Sequence, residues 1–193
     1  MNIYIDCGVN EGSDIDCFRK LYNADEWRII GFEPAPYCVD YLKKNKSAEW
    51  WKGIEFHQAG VSDHDGKETF YEGSWSKSGT LREDKKTYLN GKTTTVDVVD
   101  FAEFLSQFNK DDYIIVTMDM EGSEYDVLDH LVKSDKMQMI NEIYVEFHTR
   151  KMKRDESKRE LNLIHAMNKH IGKDNVYICE IQNHHQFKKL IKE

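Results

Sequence analysis

Four residues in the second half of the chain carry the chemistry of proton transfer. Asp119 and Glu121 stand in Met118-Asp119-Met120-Glu121-Gly122-Ser123-Glu124, and Glu146 and His148 stand in Val145-Glu146-Phe147-His148. Carboxylates and imidazole accept protons from weakly acidic hydroxyls, and an unperturbed histidine does so near neutral pH. His148 is therefore expected as the proton acceptor, with Asp119 orienting an acceptor or meeting a cationic ligand. The four groups are also compatible with a divalent cation. No two of them share a fixed helical spacing, so the expectation is that no metal is held. Glu121 and Glu124 also suit the N-terminus of the helix that should begin there.

A second constellation lies near the start, in Ile5-Asp6-Cys7-Gly8-Val9-Asn10-Glu11-Gly12. Glycines at 8 and 12 let the backbone turn sharply and approach a ligand closely. The middle glycine of a dinucleotide loop is missing, and Glu11 at the helix start would repel a phosphate. An acidic loop suits a cationic ligand, and S-adenosylmethionine carries a sulfonium and an ammonium. Gly31-Phe32-Glu33-Pro34 follows about twenty residues on, where nucleotide-binding sheets place an acid that accepts ribose hydroxyls. Together the two segments point to an adenosine-type cofactor.

Such groups need a scaffold that gathers strand ends. Apolar runs at Asn2 to Asp6, Trp27 to Phe32, Ile54 to Val61, Tyr113 to Met118, Ile143 to Phe147 and Val176 to Ile181 alternate with helical patterns. That alternation is the signature of βαβ units and a mostly parallel, doubly wound α/β sheet. Short extra strands are expected at Lys67 to Tyr71 and Thr93 to Asp97, a helix carrying Val98, Phe101, Ala102, Leu105 and Phe108, and a last edge strand from Phe187 to Ile191. With no repeat or linker, residues 1–193 read as one domain. Adjacent strands in register would bring Asp119 and Glu121 close to Glu146 and His148. His184-His185 reads as a solvated loop, and Trp75 as a better acceptor contact than Trp50-Trp51.

Composition narrows the choices. Hydrophobic residues make up 39% and charged residues 32%, as in ordinary soluble proteins. No run is apolar enough for a membrane helix, and no export signal opens the chain, so the cytoplasm is the expected location. Cys7, Cys17, Cys38 and Cys179 form no CxxC pair, which argues against disulfides and zinc. The net charge of −8 weighs against a nucleic-acid partner.

In these motifs the sequence resembles the FkbM family of class I methyltransferases. The resemblance runs from Asp6 to about His148 and includes Ala59-Gly60-Val61-Ser62-Asp63 and Ser78-Gly79-Thr80-Leu81. It implies a seven-stranded sheet with its last strand antiparallel. It implies methyl transfer to oxygen, commonly a hydroxyl of a sugar or glycosylated small molecule. Asp6, Gly8 and Gly12, with Cys7 and Asn10 in the same motif, would line the methionine part of the cofactor. Glu33 and Pro34 would hold the ribose, Val61 and Ser62 would flank the adenine, Asp119 would meet the ammonium, and the loop at Ser78 would close the pocket. Family members often carry lysine before the aspartate of the D-x-E-G segment, where Thr117 and Met118 stand here. The alternative acceptor is a ribose hydroxyl of RNA. The alternative to an enzyme is a methyltransferase-like binding module, which would predict a broken cofactor loop, yet Gly8, Gly12 and Glu33 are all present.

Overall fold

The computed structural model describes residues 1–75 and 77–179. The central strand is β1 (Asn2–Cys7), with β2 (Trp27–Phe32) and β3 (Ile54–His57) on one side. On the other side lie β7 (Tyr113–Met118), β8 (Glu142–Glu146) and β9 (Val176–Cys179). The order is β3-β2-β1-β7-β8-β9. Every pairing in this sheet is parallel.

A parallel sheet must be covered on both faces, and the alternation of side chains shows how. Tyr4, Ile115 and Tyr144 pack with Ile15 and Phe18 of α1 (Ser13–Leu21) and Leu42 of α2 (Pro36–Asn45), with Trp50 and Trp51 of the short α3 (Ala48–Trp51) at the margin. The Tyr4 and Phe18 rings stack at 4.0 Å. Ile3, Ile5, Ile114, Val116 and Val145 face the other way. They meet α4 (Phe101–Leu105), α5 (Glu124–Lys133) and α6 (Ser157–His170). Each such buried side chain contributes about 1.5–3 kcal/mol of transfer free energy. The fold is thus the expected doubly wound α/β class.

Three local expectations change. The run from Ile54 to Val61 is not one strand. The chain leaves the edge of the central sheet after His57 and re-forms as β4 (Gly60–Ser62), the outer strand of a second, three-stranded sheet among the described residues. The two short strands are one long hairpin, β5 (Gly66–Gly73) and β6 (Leu89–Asp100), antiparallel to each other. Its outer half, Leu89 to Thr95, is mostly exposed, so it lacks the alternation that would have marked it. Val98 belongs to β6, because α4 starts only where the Asp100 side chain accepts from Glu103 N at 3.0 Å. The described residues give six strands in the central sheet, all parallel. The expected edge strand at 187–191 and the pair His184-His185 lie outside them. Among the described residues no helix is long and apolar enough to cross a membrane.

Candidate active site

Register assembles the site. Cys7 pairs with Phe32 on one side and Met118 on the other, and Met118 pairs with Val145. The turns that follow β1, β2, β7 and β8 therefore open onto one edge, where doubly wound sheets bind ligands. A cleft of about 590 Å³, counted to its open mouth, lies there. Its wall includes Gly8, Asn10, Glu33, Pro34, Val61, Gly79, Asp119 and Glu121.

The glycine turn is fixed by contacts that tolerate no side chain. Gly8 has φ 108°, and a Cβ there would lie 2.4 Å from the Asp119 carbonyl oxygen. The amides of Gly8 and Val9 both donate to Phe32 O at 3.0 Å, which ties the turn to the end of β2. Glu33 sits just beyond, 5% exposed. Its Oε2 accepts from Asn10 N at 2.7 Å and its Oε1 from Ala35 N at 2.8 Å. Burial pushes its carboxyl up to about 7, against the opposing pull of those two amides.

Several expected cofactor residues stand off the cleft wall. Gly12 caps α1 at φ 82°, and a Cβ there would meet Trp50 at 2.6 Å, so its small size serves packing. Cys7 is buried within the core. Ser62 lines a neighbouring cleft with Asp63 and Glu68. Ser78 is turned inward, its hydroxyl donating to Tyr88 O at 2.9 Å, while the next residues, Gly79 and Thr80, form the wall. Asp6 lies behind the turn. Its Oδ1 accepts from Thr117 at 3.3 Å, and its buried Oδ2 has no partner among the described residues.

Asp119, Glu146 and His148 form the far corner, as adjacent-strand register implied. His148 Nε2 lies 3.4 Å from Asp119 Oδ1 and 3.4 Å from Glu146 Oε1. The imidazole is wholly buried and is held from behind: its Nδ1 is 3.0 Å from Glu124 Oε1, and its backbone N–H donates to the same oxygen at 3.1 Å. Glu124 Oε2 accepts from Gly122 N at 2.9 Å. Burial alone would lower the His148 pKa, but the Glu124, Glu146 and Asp119 carboxylates outweigh it and push it well above the usual value. Those carboxylates favour the protonated ring, which opposes the expectation of a histidine poised to accept a proton near neutrality. Asp119 is pushed up to about 7, first by burial and then by Glu146 and Glu121, with His148 opposing.

Glu121 also departs from its expected role. Its backbone has φ 54°. Its carboxylate accepts from Lys85 Nζ at 2.7 Å and Lys151 Nζ at 2.8 Å, and lies 3.8 Å from His148 Nε2. Burial acts to raise its pKa, but His148, Lys85 and Lys151 hold it below the usual value. A carboxylate so engaged is an anchor for two cations and a poor proton acceptor. Lys85 itself is 2% exposed and was not singled out in the sequence. Glu124 was read only as a helix-start acid, yet it orients the imidazole. Its one signal was the third acid of D-x-E-G-x-E. Thr117 bonds Asp6 and meets the Tyr4 hydroxyl at 2.9 Å. The Trp50 ring is packed, its Nε1 donating to Asp16 at 2.6 Å, whereas Trp75 is 58% exposed beside Tyr88.

Residues 6–189 match the methyltransferase FkbM domain. The chain belongs to this family. Its fold is similar to the crystal structure of methyltransferase FkbM from Methylobacillus flagellatus KT, with a TM-score of 0.54 and 13% identity. That similarity covers 90% of this chain and 39% of the other, so this family member spans well under half the length of its structural relative. No curated protein matches the chain. The acid corner beside the Gly8 turn is where this FkbM domain gathers Asp119, Glu121, Glu146 and His148.

Proposed function

We propose that the chain is an S-adenosylmethionine-dependent O-methyltransferase whose acceptor is a hydroxyl of a carbohydrate or glycosylated small molecule. One observation carries this reading: Glu33 and Asp119 face a single cleft from opposite sides of the Gly8 turn. The residues fit the cofactor. Glu33 keeps free lone pairs for ribose hydroxyls because each of its oxygens accepts only one backbone amide among the described bonds. Burial first, and neighbouring carboxylates after it, push up the carboxyls of Asp6, of Asp14 in the first turn of α1, and of Asp119, a concentration of acids that a sulfonium and an ammonium would complement. When bound, the cofactor supplies a methyl group on a positive sulfur, which keeps the C–S electron pair as the acceptor oxygen takes the methyl.

The chain's own task is to align the acceptor, exclude water and receive one proton. Asp119 is the cleft-facing carboxylate of the corner and receives the hydroxyl proton. Glu146 and His148 position it, and Glu124 fixes His148. Trp75 and Tyr88, with rings 5.8 Å apart and both largely exposed, border the loop over the cleft and offer faces on which a sugar stacks. The acidic corner and the net charge of −8 would repel a polyphosphate chain, which disfavours RNA.

Isothermal titration with S-adenosylmethionine tests the cofactor, and radiolabelled methyl transfer to a sugar panel tests the acceptor, with a folded Asp119→Asn as control. Saturable binding and labelling that the control lacks are expected. Absence of cofactor binding would sink the reading.

A further inference from the structure

We propose that Asp119, Glu146 and His148 form a site for one divalent cation of the Mn²⁺ or Zn²⁺ class at the acceptor end of the cleft. Each of the three residues offers a ligand atom, and those atoms all lie within 4.8 Å of one another. The expectation against a metal rested on the lack of helical spacing. The fold replaces helical spacing with the register of β7 and β8, which sets Asp119 one residue past one strand and Glu146 and His148 at the end of its neighbour.

Two observations point to a ligand. The first is an orphaned imidazole nitrogen. His148 is fully buried, its Nε2 has no hydrogen-bond partner among the described residues, and it is aimed at two carboxylate oxygens, each 3.4 Å away. Asp119 Oδ1, one of those two, is also buried without a partner. Buried polar atoms are nearly always satisfied, and two facing orphans mark a missing third party. The spacing suits a metal: ligands about 2.0–2.2 Å from one ion stand roughly 3–3.6 Å from each other.

The second is the support behind the ring. Glu124 is buried, and its Oε1 faces His148 Nδ1 at 3.0 Å. A carboxylate holding the distal imidazole nitrogen is the arrangement that orients metal-ligating histidines and leaves the other nitrogen's lone pair directed at the ion. One imidazole and two carboxylates suit a borderline divalent ion. Three protein ligands leave a coordination position open, as catalytic metal sites do. That position would take the acceptor hydroxyl, and ligation through Asp119 Oδ1 leaves Oδ2 to receive its proton. This use of the ion rests on the methyl-transfer reading above; the binding itself does not.

The test is Mn²⁺ titration of the whole chain followed by electron paramagnetic resonance, which reads loss of the free-ion signal. One Mn²⁺ per chain is expected, displaced by Zn²⁺ and by chelator. Because His148 is fully buried and its removal threatens the fold, Glu146→Gln and Asp119→Asn carry the comparison, with thermal denaturation as the check on folding. Each should weaken Mn²⁺ binding by roughly tenfold or more. No binding by the wild-type chain, or binding unchanged in a folded Glu146→Gln, overturns the site. Titration of S-adenosylmethionine in the presence of EDTA reads the cofactor separately. Cofactor heat without Mn²⁺ binding overturns the metal site alone, and Mn²⁺ binding without cofactor heat overturns the methyl-donor reading alone.

Discussion

At one end of the cleft Glu33 is buried, yet each of its oxygens accepts a backbone N–H, from Asn10 and from Ala35. At the other end Asp119 and Glu146 crowd one imidazole nitrogen, and among the described residues Asp119 Oδ1 and His148 Nε2 have no hydrogen-bond partner. The first end is complete before any ligand arrives, so it acts as a rigid acceptor of hydroxyls. The second is over-supplied with negative charge and under-supplied with donors, and is completed from outside. The difference teaches where each end draws its stability: the Glu33 end from its own backbone, the corner from Glu124 behind it.

The largest expected effect tests that last statement. Glu124→Ala removes the acceptor for Gly122 N, His148 N and His148 Nδ1 and leaves a buried imidazole unpaired. Losing one partner of a buried ionic pair costs about 3–5 kcal/mol. Denaturant unfolding should show it, with Glu124→Gln recovering part. An unchanged midpoint would mean the corner does not depend on Glu124.

Next comes Glu33→Ala, which strips the acceptor from Asn10 N and Ala35 N and should cost about 1–3 kcal/mol of stability, less than Glu124→Ala, while weakening S-adenosylmethionine binding by about 10- to 100-fold, the worth of one or two charge-assisted hydrogen bonds. The pH dependence sharpens the contrast. The Glu33 carboxyl titrates near 7 in the fold against an ordinary 4.5. Its proton is therefore held more tightly when folded. The stabilisation that follows is fully present below about pH 4.5 and is lost as pH rises through about 7. Cofactor affinity should run the other way, rising through about pH 7 as the acid ionises to accept both ribose hydroxyls. Glu33→Gln should flatten both curves, read by thermal melts and by titration across that range. The smallest effect is at the rim. Trp75→Ala should raise the KM for a sugar acceptor about threefold, under 1 kcal/mol, with cofactor binding unmoved.

How much was legible in the sequence follows the same division. The Gly8 turn and Glu33 are local: a strand end, a glycine and an acid a short distance apart in sequence. The meeting of Asp119 with Glu146 and His148 was legible too, because neighbouring parallel strands bring their following turns together. What stayed hidden was reversal and long reach. Glu124 begins α5, where an acid ordinarily faces solvent, but it points back at His148. Lys85 lies in the charged run Arg82-Glu83-Asp84-Lys85-Lys86 and reads as surface, but its Nζ reaches Glu121. Gly12 was read as facing a ligand, and only the packing of Trp50 against it shows otherwise. The break between β3 and β4 was invisible because both halves are apolar and the chain merely changes sheets.

The segment after Leu81 is bound edge to edge with the turn that follows His148. Lys86 N donates to Lys151 O at 2.8 Å, Lys153 N donates to Asp84 O at 2.7 Å, and Lys85 bridges Met152. The covering over the cleft and the floor of the corner are thereby riveted into one plate. Prising the mouth wider for a bulky guest strips those rivets and loosens the ground beneath His148. Acceptor girth is accordingly capped by mechanical stiffness as well as by shape, and the amides of Lys86 and Lys153 should exchange their hydrogens in step.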